Sequence, residues 1–378
     1  MADKFISTNE HVIERPDVWT SRLTGKQWAD RIPHIAGKND GSEVWLIDGR
    51  EYPLLGSGSA AACMPDRGDE PKHWADIPAV IIEPARRAAA MEQQGVDYAV
   101  LYPSVAGIGG EVFGRIEDPE LELACVRAYN DWVVETWAAA SPKFIAQCIV
   151  PLSSFERMEA EIRRSVAKGH KGVIFPGIPD QVRKGSPHIN DHGYDAVWRI
   201  CEALGVPVCF HAGVVPSMEL EPYSGYPRAV QAAFKAITRP ASGAAMLSNI
   251  LISRICERFP KLKLVFAESA MGLTNFSIEG ADYGFRMWRL DERYGHKARP
   301  SAIFKKNCYI VGWYDRLNLR SVLDYLGSSS LLWSTKFPLG TSSWPDTQKQ
   351  IAQSFDGIPE GEKRKVLWTN AAELYGLA

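Results

Sequence analysis

The sequence predicts an α/β protein built as a (β/α)₈ barrel (TIM barrel) with a small hairpin insertion after its first strand. Short, near-continuous apolar runs alternate about eight times with segments of helical periodicity, and this alternation is typical of a closed parallel barrel. The 378 residues are 46% hydrophobic and 23% charged, which is ordinary globular usage. Because such barrels commonly run to about 250 residues or more as one unit, residues 1–378 are expected to form a single barrel domain.

Eight apolar runs are predicted to form the barrel strands, because they have the length and composition of strands buried on both faces. In chain order they are Phe5–Thr8, Tyr98–Tyr102, Ile145–Val150, Gly172–Phe175, Val206–Phe210, Leu262–Ala267, Cys308–Val311 and Leu331–Ser334. An open, doubly wound sheet is the structural alternative. It usually has a glycine-rich phosphate-binding turn after its first strand, and the sequence after Thr8 has none.

Five segments between these strands are predicted to be helices. They are Pro84–Gln94, Pro119–Ala140, Phe155–Ala167, Tyr194–Leu204 and Asn249–Phe259. The first two open with proline, which suits the first helical turn, and Asp118 precedes the second as an N-cap. Gly169 and Gly205 follow the third and fourth, and the fifth stops before Pro260.

Two segments, at about residues 15–80 and 213–244, are longer than one connecting helix requires. Within the first, Val44–Pro53 places Asp48-Gly49 between two short strand patterns, which predicts a hairpin. Loops that follow barrel strands lie at the catalytic face, so both insertions are expected to form lids or subunit contacts.

Composition excludes several classes of function. The formal net charge is -2 with no basic run, which argues against nucleic acid as a partner. The seven cysteines form no C-x-x-C pair and are expected to be free thiols in a reducing compartment. The opening MADKFISTNE has no signal-peptide pattern, and no window approaches the roughly 20 apolar residues of a membrane span. We therefore expect a cytoplasmic protein with no membrane partner.

Polar residues follow four of the predicted strands at their carboxyl ends, which meet in one mouth of a parallel barrel. They are Asn9, Glu10 and His11 after the first strand, His211 after the fifth, Glu268 after the sixth and Lys336 after the eighth. Each also has a structural interpretation, because a buried histidine can bond to a carbonyl and a buried carboxylate needs a partner. A lysine at this place must reach water or pair with an anion.

Five segments, in order along nearly the whole chain, carry recognisable motifs. They are ISTNEHVIERPDVW at 6–19, VPVCFHAG at 206–213, RFPKLKLVFAES at 258–269, STKFPLG at 334–340 with SWP at 343–345, and NAAELYG at 370–376. Together they resemble the amidohydrolase-related family that includes aminocarboxymuconate semialdehyde decarboxylase and the resorcylate-type decarboxylases. The resemblance implies a divalent ion held by a first-strand D-x-H or H-x-H, the fifth-strand histidine and an eighth-strand aspartate in S-D-x-P-H.

The chain departs from this pattern at the functional positions. His11 and His211 match, but Asn9 stands at the first-strand acid position, Lys336 at the eighth-strand aspartate and Leu339 at the histidine of S-D-x-P-H. An ammonium a few ångströms from a dication is repelled by several kcal/mol. We therefore predict that Lys336 takes the place of the ion.

In this hypothesis the Lys336 ammonium pairs with the carboxylate of Glu268 or of Glu10. We take Lys336 and Glu268 as the candidate functional pair. His11, His211 and Glu10 are then vestigial metal ligands. No cofactor is expected in this chain. The alternative is a residual single divalent ion (Zn, Mn or Fe) on the remaining ligands.

Two functional hypotheses follow. In the first, the chain is a non-catalytic subunit that supports an intact, metal-dependent homologue acting on a small carboxylate-bearing substrate, as a hydroxylase or decarboxylase component. The two-component 2-aminoisobutyrate hydroxylase, which resembles a pair of such barrels, is the comparable case, and a homodimer is a further option. In the second, the chain is itself a mononuclear metal-dependent decarboxylase or hydrolase, or uses Lys336 as a base or Schiff-base nucleophile.

Overall fold

The computed structural model of the protein describes residues 4–24, 27–67, 69–214, 225–227, 230–231, 233–234 and 238–377. Much of the predicted insertion at 213–244 therefore lies outside the described residues. Within the described ranges the strands are β1 (Ile6–His11), β2 (His34–Gly37), β3 (Glu43–Ile47), β4 (Arg50–Pro53), β5 (Tyr98–Tyr102), β6 (Phe144–Ile145), β7 (Cys148–Ile149), β8 (Val173–Ile174), β9 (Val208–His211), β10 (Leu264–Ala267), β11 (Cys308–Gly312) and β12 (Leu331–Trp333).

The barrel strands pair in parallel and in chain order. One ladder runs β1–β5–β6, and a second runs β7–β8–β9–β10–β11–β12. The chain itself joins β6 to β7. At the other junction, the Thr8 hydroxyl donates to the Trp333 carbonyl (2.9 Å) and the His11 amide donates to the Phe337 carbonyl (2.8 Å). The strands thus follow one another in the cyclic order of a (β/α)₈ barrel, as predicted.

The third predicted strand, Ile145–Val150, is interrupted. Its pairing stops at Ala146-Gln147 and resumes with a new neighbour, so that β6 pairs with β5 whereas β7 pairs with β8. The Gln147 side-chain amide donates to the Leu101 carbonyl at 3.2 Å. A side chain thus provides a hydrogen bond across this junction, where the backbone ladder is broken.

Helices cover the outside of the barrel. The α-helices are Asp17–Thr20, Ala79–Ile82, Pro84–Gln93, Glu111–Gly114, Pro119–Trp132, Phe155–Ala167, Pro179–Val182, Asp195–Leu204, Ser242–Ile252, Ile255–Arg258, Met271–Met287, Leu290–Tyr294, Pro300–Asn307, Arg316–Leu326, Thr347–Ser354, Glu360–Arg364 and Asn370–Tyr375. The predicted cap is present, since the Asp118 carboxylate accepts hydrogen bonds from the Glu120 and Leu121 amides. After Trp132 the same helix continues as a π-helix, Val133–Ala138.

The predicted helix Asn249–Phe259 is wrong in its bounds. One helix spans Ser242–Ile252, and a separate short helix spans Ile255–Arg258 after Arg254 adopts a left-handed backbone (φ 64°). The Ser253 hydroxyl donates to the Ile250 carbonyl and accepts from the Ile255 amide. One side chain therefore bonds to the backbone on both sides of the break, in competition with the helical hydrogen bonds.

The predicted hairpin is confirmed as part of a three-stranded antiparallel sheet, β2–β3–β4. Its turn residues, Asp48 (φ 50°) and Gly49 (φ 74°), both have the positive φ that a tight two-residue hairpin requires. Trp45 anchors the sheet, because it is fully buried and packs edge-on against Trp19 at 5.4 Å between ring centroids. Among the described residues, no helix has both the length and the apolar composition needed to cross a membrane.

Candidate functional site

The ends of four barrel elements bring the candidate residues together. Strand β1 ends with Asn9 and His11, β9 ends with His211, Glu268 directly follows β10, and Lys336 lies three residues beyond β12. All are at most 5% exposed. Because side chains alternate along a strand, Asn9 and His11 share one face of β1 and Glu10 lies on the other.

The two histidine rings pack edge-on against each other. Their ring centroids are 5.2 Å apart. His211 Nδ1 lies 2.7 Å from the Ala212 carbonyl and His11 Nδ1 lies 3.5 Å from that of Pro103. A carbonyl only accepts, so each Nδ1 carries the proton and each Nε2 keeps its lone pair. His11 Nε2 has no hydrogen-bond partner within the described part of the chain.

Glu268 completes a cluster of three possible ligands. One atom each from His11, His211 and Glu268 lie within 4.8 Å of one another. The Asn9 amide nitrogen is 3.4 Å from His211 Nε2, and Glu268 Oε1 is 3.5 Å from the same nitrogen. Two imidazoles and one carboxylate are donor types that Zn, Mn and Fe accept.

The ammonium of Lys336 lies at this cluster. Its Nζ is 3.1 Å from Glu268 Oε1, and the two side chains are 7% and 1% exposed. On its other side, Nζ lies 4.3 Å from the ring centroid of Trp313, a buried residue at the end of β11. A carboxylate and the face of an indole thus hold the charge, and both favour a cation at this point.

Both members of the ion pair have a strained backbone. Glu268 has φ 54° and Lys336 has φ 59°, in the left-handed region that residues with a side chain usually avoid. Such a conformation costs about 1–2 kcal/mol per residue. Other interactions of the fold must therefore offset the strain at these two residues. Strained backbone of this kind is common at functional sites.

The electrostatics of the site favour neutral imidazoles and a charged pair. Burial foremost, and the neighbouring His211 next, lower the pKa of His11 to about 3. Burial also lowers the pKa of His211. Burial alone would raise the pKa of Glu268, but Lys336 foremost and His211 next overcome this and hold it at about 2. Burial lowers the pKa of Lys336, and the Glu268 carboxylate opposes that shift. The 3.1 Å contact between Nζ and Oε1 has the geometry of an ion pair.

Glu10 does not join this cluster. Its carboxylate accepts from the Arg87 guanidinium (Nη1–Oε2, 2.9 Å) and from the Thr335 hydroxyl (2.7 Å). Arg87 also donates to the His11 carbonyl at 2.9 Å and stacks on Phe337 at 3.9 Å. Glu10 thus ties β1 to the segment after β12 and to a barrel helix. Its predicted role as a metal ligand has no support in this geometry.

Two residues of this region were not among the sequence-derived candidates. Trp313 follows β11 directly, but a search for polar residues after strands passes over an aromatic ring. Arg87 lies within a helix, and nothing in its local sequence shows that it reaches Glu10. The pairing of Lys336 with Glu268 matches the expectation, whereas the functional roles of these residues stay predictions.

The residues fit an internal ammonium better than a divalent ion. The three-ligand cluster contains one carboxylate, and Lys336 already neutralises it. Adding an ion would place a dication within a few ångströms of the ammonium, which costs several kcal/mol. The donor atoms suit a metal, and the charge balance does not.

Comparison with known proteins establishes the family. The sequence profile of the amidohydrolase family matches residues 71–377, and the chain therefore belongs to this family. The γ-resorcylate decarboxylase of Rhizobium sp. (strain MTP-10005) is 22% identical over 308 residues, which cover 77% of this chain and 86% of that protein.

Solved structures share the fold. An amidohydrolase from Mycobacterium avium subsp. paratuberculosis K-10 matches with a TM-score of 0.77 and 21% identity over 100% of both chains. A dihydroxybenzoic acid decarboxylase from Polaromonas sp. JS666, with bound manganese and the inhibitor 2-nitroresorcinol, matches with a TM-score of 0.64 and 18% identity over 99% of this chain and 97% of that one. The predicted barrel and the predicted family are both confirmed.

Proposed function

We propose that this chain is a non-catalytic, supporting subunit that assembles with an intact, metal-dependent homologue of the same fold. The observation that carries the proposal is the ion pair between Lys336 Nζ and Glu268 Oε1 at 3.1 Å, inside the cluster that also contains both histidines. A fixed ammonium takes the position of an exchangeable ion. The barrel keeps its shape and electrical balance without a metal centre of its own.

The strained backbone at both residues supports this proposal. If Lys336 were an incidental substitution, the folded protein would be more stable if the backbone of this residue relaxed from its φ of 59°. Instead the side chain rests on Trp313 and points at Glu268. We infer that the ammonium has a structural purpose, which is to keep a site built for a cation from collapsing.

The relatives indicate the chemistry of the partner. One is named a γ-resorcylate decarboxylase, and a structural neighbour is a dihydroxybenzoic acid decarboxylase with bound manganese. We propose that the metal-bearing homologue acts on a small carboxylate-bearing substrate, by decarboxylation or hydroxylation. This chain would supply stability or loops to the partner's site.

A second candidate function rests on the three-ligand cluster itself. In it the chain is a mononuclear decarboxylase or hydrolase that holds one Zn, Mn or Fe ion with His11, His211 and Glu268. A bound ion would supply Lewis-acid polarisation of a substrate carboxylate or of a water. The orphaned Nε2 of His11 favours this candidate. It requires that Lys336 withdraw from Glu268 or give up its proton.

Co-expression distinguishes the two. The chain is produced alone and together with a homologue from the same genome whose D-x-H and S-D-x-P-H motifs are intact, and each product is assayed for metal content and for decarboxylation of dihydroxybenzoates. The proposal predicts a stable complex whose metal resides in the homologue and whose activity survives His11→Gln in this chain. An active, metal-loaded chain in the absence of any homologue would contradict it and establish the second candidate.

A further inference from the structure

One face of the helix Met271–Met287 carries large apolar side chains that no part of the described chain covers. Phe276 is 73% exposed, Tyr283 58%, Met287 60% and, directly after the helix, Trp288 67%. The first three are spaced by seven and four residues, so they form one stripe along the helix. We call these four residues the aromatic stripe. Gly280 lies within it, and a Cβ atom added there would meet no atom within 4 Å outside the backbone of its own helix.

We propose that the aromatic stripe is a two-fold interface between two copies of this chain, in which the two helices pack antiparallel. The first argument is area. A large aromatic side chain has roughly 150–250 Å² to bury, so the four exposed fractions leave on the order of 500 Å² of apolar surface per copy. If the stripe is fully covered, two copies together would bury on the order of 1000 Å², which is about the minimum expected of a biological interface.

The second argument is charge. Glu279 and Arg286 are exposed and lie on the same flank of the stripe, two helical turns apart. Within the described part of the chain neither has an ion-pair partner within 4.0 Å. When two copies of one helix pack antiparallel about a two-fold axis, the same flanks meet with reversed direction. Glu279 of one copy then faces Arg286 of the other, and the pair forms twice.

The register of the stripe agrees with this arrangement. Suppose that the two-fold axis is placed so that Gly280 of one copy lies opposite Gly284 of the other. Phe276 of one copy then lies opposite Trp288 of the other, and Glu279 lies one residue away from the position directly opposite Arg286. A Cβ atom added to either glycine would meet no atom within 4 Å outside the backbone of its own helix, so both positions allow the backbone of a second helix to approach closely. A parallel arrangement would bring the charged flank against the Trp288 flank and leave both charges without a partner.

This interface lies close to the candidate site. The helix begins at Met271, three residues after Glu268, so a copy docked on it would support the element that holds the ion-pair carboxylate. The inference does not depend on the proposed function, because a homodimer can form with or without a metal in the barrel.

The test is the mass of the full chain, expressed alone, by size-exclusion chromatography with light scattering and by sedimentation at micromolar concentrations. We expect a dimer. Glu279→Arg and Arg286→Glu should each weaken dimerisation by about tenfold or more, because each replaces two attractive pairs with two repulsive ones. The double variant should recover most of the affinity.

Gly280→Leu tests the close approach of the helices separately. Leucine is a better helix former than glycine and has open space at this position, so the monomer should fold at least as well. The second copy should be blocked. Gly361→Leu, in the helix Glu360–Arg364 and also facing open space, is the matched control and should stay dimeric.

A monomeric wild-type chain at these concentrations would overturn the proposal, as would a dimer that ignores both single charge reversals. If the chain alone is monomeric and the stripe becomes protected from hydrogen exchange only with the metal-bearing homologue, the occupant is that homologue and the two-copy interface is refuted. The proposed function would be untouched by that result.

Discussion

Replacing Lys336 by methionine removes the ammonium and keeps a side chain of similar length. At an effective dielectric constant of about 20, two unit charges 3.1 Å apart attract each other by about 5 kcal/mol. Removing one partner of a buried pair usually costs about 3–5 kcal/mol, because the other charge is left without compensation. We therefore expect Lys336→Met to lower the free energy of unfolding by about 3–5 kcal/mol, a large part of a typical total of 5–15 kcal/mol.

A double-mutant cycle isolates the pair from other effects. In the Lys336→Met background, Glu268→Gln removes the stranded charge and should recover about 2–3 kcal/mol, which is a coupling between neighbouring sites. Urea unfolding followed by circular dichroism and tryptophan fluorescence measures all four proteins. Lys143→Met is the matched control, since Lys143 pairs with Glu92 at 2.7 Å on the surface and should cost far less.

The reasoning would be refuted if Lys336→Met changed stability no more than the surface control does. It would also fail if the cycle showed no coupling between positions 336 and 268. Either result would mean that the ammonium does not stabilise the carboxylate in solution, and the charge argument for a metal-free site would lose its basis.

Other predictions follow from the same structure. Arg87→Met should lower the free energy of unfolding by about 3–5 kcal/mol, since the side chains of Arg87 and Glu10 are each 2% exposed and form a buried pair. Adding Glu10→Gln should restore part of that free energy, as measured by urea unfolding. Losses that simply add in the double variant would contradict this prediction. Burial lowers the pKa of His170 to about 4. As the pH falls, His170 of the unfolded chain, with a pKa of about 6.5, is therefore protonated before His170 of the folded chain. The free energy of unfolding should decrease by up to about 3 kcal/mol between about pH 6.5 and pH 4. His170→Gln should flatten that part of the stability–pH curve, and an unchanged slope would show that His170 does not titrate this way.

The sequence was a good guide to the barrel and a partial guide to the site. Parallel strands covered on both faces are continuous apolar runs, so their positions could be read directly. The exception was Ile145–Val150, where a tertiary hydrogen bond from Gln147 accompanies a change of ladder that a uniform apolar run does not reveal. The helix boundary at Ser253 was missed for a similar reason, because a hydroxyl that bonds to the backbone of two neighbouring helices leaves only a weak local signal.

Within the site, strand periodicity carried more information than the motif comparison. Asn9-Glu10-His11 form one strand, so alternation alone separates Glu10 from the other two. The structure then supplies the reason, which is the bond from Glu10 to Arg87. That bond joins residues 77 positions apart, and no local pattern predicts it. The pairing of Lys336 with a carboxylate was predictable, because a buried lysine has few other ways to satisfy its charge. The choice of Glu268 over Glu10 came from the structure.

The most direct test of the account is the metal content of the chain purified alone after growth with added Mn, Fe or Zn, measured by plasma mass spectrometry. The account predicts far less than one ion per chain for the wild type. It predicts a rise toward one ion per chain for Lys336→Asp, which restores a carboxylate and removes the ammonium. A stoichiometric, tightly held ion in the wild type, lost when His11 or His211 is replaced, would contradict it.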